Sequence, residues 1–232
     1  MASRRHDKRF VLFGMEHSGF AMETTKTVLR YLEAANMPTI VHVPTQDYRD
    51  VARALDIGAE AIMTPMIATA AQAKAVLACM KYPPAGRRGM GTLLAYERFA
   101  MPTVEQHMAR VNRCSVFVPL VENEEGVANI KEIALLEGVD AIWIGQLDLS
   151  ISLGIPNQLE HPRFLAALDR IATACRQAGK PAAILAATPQ QGADFYRRGY
   201  DLICFGGDAV LYRDALHDGV AALRAAVLHA QT

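Results

Sequence analysis

Short apolar runs alternate with longer stretches of helical spacing along nearly the whole chain. Near-continuous apolar runs of this length indicate strands buried on both faces, and their alternation with helices predicts parallel βαβ units. The predicted strands are residues 10–15, 39–43, 61–66, 115–121, 141–144, 182–186 and 202–205. The predicted helices are residues 23–35, 48–55, 70–81, 103–111, 128–136, 164–178, 190–198 and 208–229.

Glycine marks the ends of several predicted helices. Gly58, Gly138 and Gly199 each follow a periodic stretch and precede the next apolar run, as a left-handed residue after a helix does. This repeated order favours a TIM-type (β/α)8 barrel, with seven strands visible, over an open doubly wound sheet, which stays the alternative. The chain has 232 residues, which suits one barrel domain over residues 10–232 after a basic tail over residues 1–9.

The composition argues against several classes of function. The 24 Lys and Arg residues balance the 24 Asp and Glu residues, so no net charge draws the protein to nucleic acid or to an anionic membrane. Every apolar run is interrupted before the roughly 20 residues that a membrane span needs. The cysteines are scattered without a C-x-x-C pair, which is typical of reduced thiols and predicts a cytoplasmic protein.

Acidic residues follow two neighbouring predicted strands. Glu122 comes after the fourth strand and Asp148 after the fifth, and in a parallel barrel the ends of the strands share one rim. Two carboxylates with open positions beside them suit Mg²⁺ or Mn²⁺, which favour oxygen ligands. The alternative is that both residues cap the helices that follow them.

A histidine and a glycine-rich loop are further candidates. His17 follows the first predicted strand, where a neutral imidazole is able to take a proton near pH 7, and a structural hydrogen-bonding role is the alternative. Residues 82–91 are rich in Pro and Gly and are interpreted as a long βα loop. Its Arg87 and Arg88 and its backbone N–H groups are suited to an anion. The signatures of P-loop ATPases, α/β-hydrolases and zincins are absent from the sequence.

Several phrases together resemble the HpcH/HpaI aldolase family, which is part of the citrate lyase beta-like barrel superfamily. The resemblance extends from about Phe10 to near the C-terminus. The phrases are Glu16-His17, Ala54-Leu55-Asp56-Ile57-Gly58-Ala59, Pro65-Met66, Lys81-Tyr82-Pro83-Pro84-Ala85-Gly86-Arg87-Arg88-Gly89, Val121-Glu122, Glu137-Gly138-Val139-Asp140 and Ile144-Gly145-Gln146-Leu147-Asp148-Leu149-Ser150. It implies a metal-dependent (class II) aldolase on a (β/α)8 barrel, with a 2-oxoacid and an aldehyde as small-molecule partners.

The resemblance also implies roles for particular residues. Glu122 and Asp148 become ligands of Mg²⁺, Mn²⁺ or Co²⁺, His17 becomes the acid/base residue coupled to Asp56 through a metal-bound water, and His42, Arg88, Gln146 and Leu147 become substrate contacts. The metal then polarises the keto group and stabilises an enolate. Because Asp56 ends a predicted helix, it is expected near the opposite rim, and a neighbouring subunit or an unusual loop has to bring it close. The family further implies a homo-oligomer, a trimer or a hexamer.

Three departures from the family pattern concern the substrate and the first strand. The family usually has an Arg in a V-R-x-P phrase, where this chain has His42, and a Gln two residues before the metal-binding Glu, where it has Leu120. Both changes remove anchors for oxoacid oxygens. Family chains also carry a strand and a helix before the strand that ends in Glu-His, whereas only nine residues precede Phe10 here.

The leading hypothesis is a divalent-metal-dependent carbon–carbon lyase that acts on a 2-oxoacid or a hydroxy-oxoacid. The alternatives are a condensing enzyme of the citrate-synthase-like branch and a non-catalytic family member with an altered oxoacid pocket. Seven strands leave an open edge, and buried edge groups need partners. The edge is expected to be covered by another subunit or by the helical stretch over residues 208–229.

Overall fold

Seven parallel strands form one sheet that curls into a nearly closed barrel in a computed structural model, which describes residues 9–91 and 102–229. The strands are β1 (Val11–Gly14), β2 (Thr39–His42), β3 (Ala61–Thr64), β4 (Val116–Val121), β5 (Ile142–Ile144), β6 (Ala182–Ala186) and β7 (Leu202–Phe205). Each strand pairs with the next one in the sequence. A doubly wound sheet reverses its strand order at a switch point, and this sheet does not, so the barrel prediction is confirmed.

Helices follow the strands along the sequence. They are α1 (Met22–Ala34), α2 (Tyr48–Asp56), α3 (Ala70–Met80), α4 (Val104–Cys114), α5 (Glu124–Ala128), α6 (Ile130–Leu135), α7 (Gln146–Ser152), α8 (Pro162–Gln177), α9 (Pro189–Arg198) and α10 (Asp208–His229). Two of them begin at capping boxes, in which Thr69 pairs with Gln72 and Thr103 with Gln106. No helix of the described residues is both long and apolar enough to cross a membrane.

Two apolar layers fill the molecule. Alternate strand residues face the barrel interior, where Ile40, Met63 and Trp143 belong to one cluster of buried side chains. The ring of Phe10, the residue before β1, meets the ring of Trp143 in β5 edge-on across the interior, with the centroids 6.2 Å apart. The other strand residues pack against the helices in a larger cluster. The polar residues at the strand ends therefore stand on a filled barrel and not on an open channel.

The sequence predicted a βα loop over residues 82–91, and this prediction is wrong. The stretch follows α3 and precedes α4, so it connects two helices on the side of the barrel where the strands begin. The Lys81 ammonium donates to the carbonyls of Asn112 and Ser115, each at 2.9 Å, and satisfies the end of α4. The first residue of the phrase Lys81–Gly89 therefore has a structural role, which is to connect α3 to α4.

The last helix buries no side chain within its own chain. All residues of α10 whose side chains are described are exposed, including Leu216, Val220 and Leu223. The expectation that α10 covers the open edge of its own barrel is therefore wrong. No pairing joins β7 to β1 among the described residues. Most of the predicted basic tail, residues 1–8, lies outside the part of the chain that the structure describes.

Candidate active site

The carboxyl ends of the strands bring polar residues to one rim of the barrel. In β2 and β4, Ile40 and Leu120 face the interior, and the alternation of side chains places His42 and Glu122 above them on the same face. Gly14 of β1 pairs with His42 in the sheet register, so Glu16 follows β1 beside His42. The rim is the face on which parallel barrels build their active sites.

Glu122 is buried, and each of its two carboxylate oxygens lies next to the backbone. Its Oε1 accepts a hydrogen bond of 2.7 Å from the Met66 N–H, and the residue is only 4% exposed. A Cβ atom on Gly145 would lie 2.2 Å from Oε2, so this position has room only for glycine. The pKa of the Glu122 carboxyl is raised to about 7, mainly by burial and also by the charges of Asp148 and Glu16, against the lowering effect of the Met66 N–H.

Helix capping is not the role of Glu122. The helix that follows it, α5, begins at Asn123, whose side chain accepts the Gly126 N–H at 2.7 Å. The Glu122 carboxylate turns instead towards Met66 on the neighbouring loop. Asp148 does lie in the first turn of α7, where a negative charge is favourable, and its side chain is exposed at the rim.

Glu16 lies between two imidazoles, and no role of its own was predicted for it. Its Oε2 is 2.9 Å from Nε2 of His42 and 3.5 Å from Nε2 of His17. The short contact to His42 is poorly aligned for a hydrogen bond, and that nitrogen has no other partner in the described residues. Burial raises the pKa of Glu16, and Asp148 adds to this effect, whereas His17 lowers it.

His42 and His17 differ in their exposure to water. The His42 side chain is mostly buried, and burial together with the charge of His17 lowers its pKa to about 4. The His17 side chain is 80% exposed. The rim therefore has one neutral, enclosed imidazole, that of His42, and one that is exposed to solvent, that of His17.

Asp56 and Arg88 lie together, but on the opposite side of the barrel. Asp56 ends α2, and its Oδ1 is 2.6 Å from Nη2 of Arg88, whose side chain is 1% exposed. The Arg88 guanidinium also stacks over the Tyr82 ring at 4.9 Å. Arg88 lines a cavity with Thr39 and Ser115, at the starts of β2 and β4. Within one chain, neither Asp56 nor Arg88 is brought to the rim that carries His17.

Gln146 and Leu147 are at the rim, as the sequence predicted. Gln146 begins α7 and is partly buried, whereas Leu147 is 55% exposed beside Asp148. Leu120 is buried directly below Glu122 on the inner face of β4. Their contacts with a substrate stay predictions, and Leu120 makes the floor beneath the carboxylates apolar.

The donor set at the rim fits a hard cation that keeps several waters. The charge of Asp148 raises the pKa of both Glu16 and Glu122 at a partly dry site, the charge of Glu16 raises that of Glu122 as well, and a cation relieves this repulsion. Within residues 9–91 and 102–229, no group of three or more His, Cys, Asp or Glu side chains is arranged to hold a metal ion. Glu122 and Asp148 would therefore be the two protein ligands, with oxygen atoms of water or substrate completing the shell.

Carboxylates and imidazoles are collected at the carboxyl ends of the strands of this parallel barrel. The protein is therefore of the class of (β/α) barrels that carry the functional site on that face. The particular family follows from comparison of the sequence. The chain belongs to the HpcH/HpaI aldolase/citrate lyase family, whose model matches residues 5–215.

Three relatives illustrate the range of similarity. The 2-keto-3-deoxy-L-rhamnonate aldolase of Escherichia coli (strain K12) is 36% identical over 171 residues, 74% of this chain and 64% of that protein, so this chain spans just under two thirds of its length. An HpcH/HpaI aldolase/citrate lyase family protein from Burkholderia cenocepacia J2315 superposes with a TM-score of 0.88 at 28% identity, over 93% of this chain and 85% of that one. The citrate synthase SbnG superposes with a TM-score of 0.81 at 26% identity, over 94% and 84% of the two chains.

Proposed function

We propose that the protein is a divalent-metal-dependent carbon–carbon lyase, an aldolase that acts on a 2-oxoacid or hydroxy-oxoacid. The observation that carries this proposal is the buried carboxylate of Glu122 beside Asp148 and Glu16 at the rim. The family membership and the similarity to an aldolase that cleaves a keto-deoxy sugar acid support the reaction type. An aldehyde would be the second product.

Glu122 and Asp148 would hold the cation, Mg²⁺, Mn²⁺ or Co²⁺. When bound, such a cation supplies a Lewis acid for the negative charge that develops on the keto oxygen. Because Met66 occupies Oε1, Oε2 of Glu122 would be the oxygen that binds the cation. Asp148 is carried by the first turn of α7, so the two ligands come from the ends of adjacent strands.

His17 is the proposed acid/base residue. It is exposed at the mouth of the barrel, and its Nε2 lies 3.5 Å from the Glu16 carboxylate, which would orient the ring. The predicted coupling to Asp56 requires a second chain, because Asp56 pairs with Arg88 on the far side of its own barrel. The predicted contact of Arg88 with the substrate likewise requires a second chain.

His42, Gln146 and Leu147 are the proposed substrate contacts of the same chain. His42 offers one ring nitrogen near the carboxylates, where a guanidinium would offer a bidentate fork. The oxoacid is consequently held mainly through the metal ligands and less through a charged side chain. Leu147 and the buried Leu120 surround it with apolar atoms.

A condensing enzyme is the second candidate. The similarity to the citrate synthase SbnG and the unusual His42 and Leu120 at the oxoacid pocket favour it. Such an enzyme would join an oxoacid to an activated acyl group and would release no aldehyde. A family member without catalysis is distinguished from the aldolase by the experiment below.

Proton exchange tests the proposal without knowledge of the aldehyde. Purified protein with Mn²⁺ or Mg²⁺ should exchange the methyl protons of pyruvate in deuterated water, as followed by NMR, and EDTA should stop the exchange. Glu122→Gln and Asp148→Asn should lose it, whereas Glu125→Gln, an exposed carboxylate on α5, should retain it. Exchange that persists in EDTA or in both ligand variants would contradict the metal assignment, and no exchange with any 2-oxoacid would contradict the aldolase.

We also propose that the protein works in the cytoplasm as a homo-oligomer, a trimer or a hexamer. All four cysteines are free, and Cys79 and Cys175 are buried, which suits a reducing compartment. The exposed apolar residues of α10 support an association between chains.

A further inference from the structure

The loop after β3 contains a residue with an unusual backbone. Met66 has a φ of 56°, in the left-handed region that side-chain-bearing residues seldom adopt. Its own side chain is 51% exposed, so packing of that side chain does not enforce the conformation. Such a backbone persists only where its surroundings hold it, and these positions collect near functional sites.

Gln46 is the side chain that holds this peptide. It comes from the loop between β2 and α2, and its Nε2 donates to the Pro65 carbonyl at 2.8 Å and to the Met66 carbonyl at 3.2 Å. The Ile67 N–H donates to the Leu120 carbonyl at 3.0 Å and fixes the other end of the turn to β4. The turn is therefore held from two neighbouring strands.

The result of this arrangement is the hydrogen bond from the Met66 N–H to Oε1 of Glu122 at 2.7 Å. That bond selects one orientation of the Glu122 carboxylate, and Gly145 leaves space for the other oxygen. No hydrogen bond links Gln46 to Glu122 directly in the described residues. Its effect on the carboxylate passes through one peptide group.

We propose that Gln46 is a positioning residue for Glu122, acting through the left-handed Met66 peptide. Its part in metal binding rests on the proposed function, because Glu122 is there a metal ligand. Partners that orient a metal ligand typically contribute about 10- to 100-fold to metal affinity. Gln46 acts one step further away, so about a tenfold contribution is expected.

Asn129 provides a matched control. Its Nδ2 donates to the Ala68 carbonyl at 2.9 Å, so a second side-chain amide fastens the same loop two residues beyond Met66. Asn129→Ala should loosen the loop without releasing the Met66 peptide. Gln46→Glu removes the donor at nearly constant shape and complements Gln46→Ala.

The experiment measures Mn²⁺ binding by electron paramagnetic resonance and the hydrogen exchange of the Met66 amide, with thermal unfolding as a check on the fold. Gln46→Ala and Gln46→Glu should weaken Mn²⁺ binding about tenfold and speed exchange of the Met66 amide at least tenfold. Asn129→Ala should leave both within about twofold, at a similar change in melting temperature.

The two proposals fail in different ways. Unchanged exchange of the Met66 amide in both Gln46 variants would overturn the positioning role, as would equal weakening of Mn²⁺ binding by Asn129→Ala. If the wild-type protein binds no Mn²⁺ but Gln46→Ala still releases the Met66 amide, the proposed function fails and the positioning of Glu122 stands.

Discussion

At the scale of single residues, backbone groups determine the orientation of the Glu122 carboxylate. One carboxylate oxygen is occupied by the Met66 N–H, and the other faces Gly145, where no side chain fits. The sequence placed Glu122 at the rim because acidic residues at strand ends are easily recognised. It did not indicate Met66 or Gln46, because methionine carries no preference for a positive φ and the glutamine contacts the loop across 19 or 20 residues.

Gly145→Ala should damage the site more than the fold. The added Cβ would lie 2.2 Å from Oε2 and 2.6 Å from Cβ of Glu122, so the carboxylate must turn away. Mn²⁺ affinity is expected to fall about 10- to 100-fold in a titration. Gly14→Ala, at the end of β1, is the control, because a Cβ there meets nothing within 4 Å. Equal Mn²⁺ affinities in the two variants would contradict the expected displacement.

The raised pKa of Glu122, about 7, makes the stability of the metal-free protein depend on pH. An unfolded glutamate titrates near 4.3, so between these values the folded state holds a proton that the unfolded state has lost. This contribution to stability is complete below about pH 4 and disappears as the pH rises through about 7. In EDTA, the contribution of Glu122 to the free energy of unfolding should fall by about 1–3 kcal/mol from pH 5 to pH 8, whereas His42, whose pKa is lowered to about 4, contributes in the opposite direction.

Urea denaturation at the two pH values measures this fall. Glu122→Gln should remove this contribution, and the remaining pH dependence should combine Glu16, whose pKa is raised in the same direction, with His42, whose lowered pKa acts in the opposite direction. Glu125→Gln should leave the fall unchanged. A pH dependence as steep in Glu122→Gln as in the wild type would assign the effect to other groups.

At the scale of elements, the strands were more predictable than the connections between them. All seven strands were found from their apolar runs, and α10 was found with both of its ends. Helix α7 was missed because Leu147, Leu149 and Ile151 alternate with polar residues, which is the pattern of a strand. The predicted helix over residues 128–136 corresponds to α6 alone, and α5, which ends at Ala128 and meets α6 at Asn129, was missed.

The Asp56–Arg88 pair shows why the remaining site residues were harder to assign. The two side chains are 32 residues apart in the sequence, and only the folded path of the connection after α3 brings them together. The same path takes them away from His17. A sequence phrase shared with a family identifies such residues, but it does not say which face of the barrel or which chain they serve.

Asp56 and Arg88 should be strongly coupled in their effect on stability. The Arg88 side chain is buried, so removal of either partner leaves a poorly compensated group. A double-mutant cycle with Asp56→Asn and Arg88→Met should give a coupling energy of about 1–3 kcal/mol. The exposed Glu124–Arg163 pair, at 3.3 Å, should give about 0.5 kcal/mol or less. Similar coupling energies in the two cycles would contradict a structural role for the buried pair.

At the scale of the whole molecule, the barrel is incomplete within the described residues. The edges of β1 and β7 are unpaired, and α10 extends without burying its apolar residues. Tyr212, Leu216, Val220, Leu223 and Val227 recur at intervals of four, four, three and four along α10, which places them on one face. An apolar face of this kind is typical of a surface that another chain covers.

Charged substitutions on α10 should separate the chains. Leu216→Asp combined with Leu223→Asp is expected to reduce the mass measured by light scattering from that of an oligomer to that of a single chain at micromolar concentration. Asp218→Lys, on the opposite face of the helix, is the control and should keep the assembly. A monomeric wild-type protein, or an assembly that survives the double substitution, would contradict the proposed role of this face.

The strand order has a consequence for how the sheet is made. Every pairing joins neighbours in the sequence, from β1 to β7, and no described pairing unites the first strand with the last. When a strand and its helix leave the ribosome, the strand with which they pair has therefore already been synthesised, and only one crossover has to close. Short connections favour this step, because the entropy lost in closing a connection grows with its length. The sheet is able to grow stepwise during translation, without a final closure that waits for both ends of the chain.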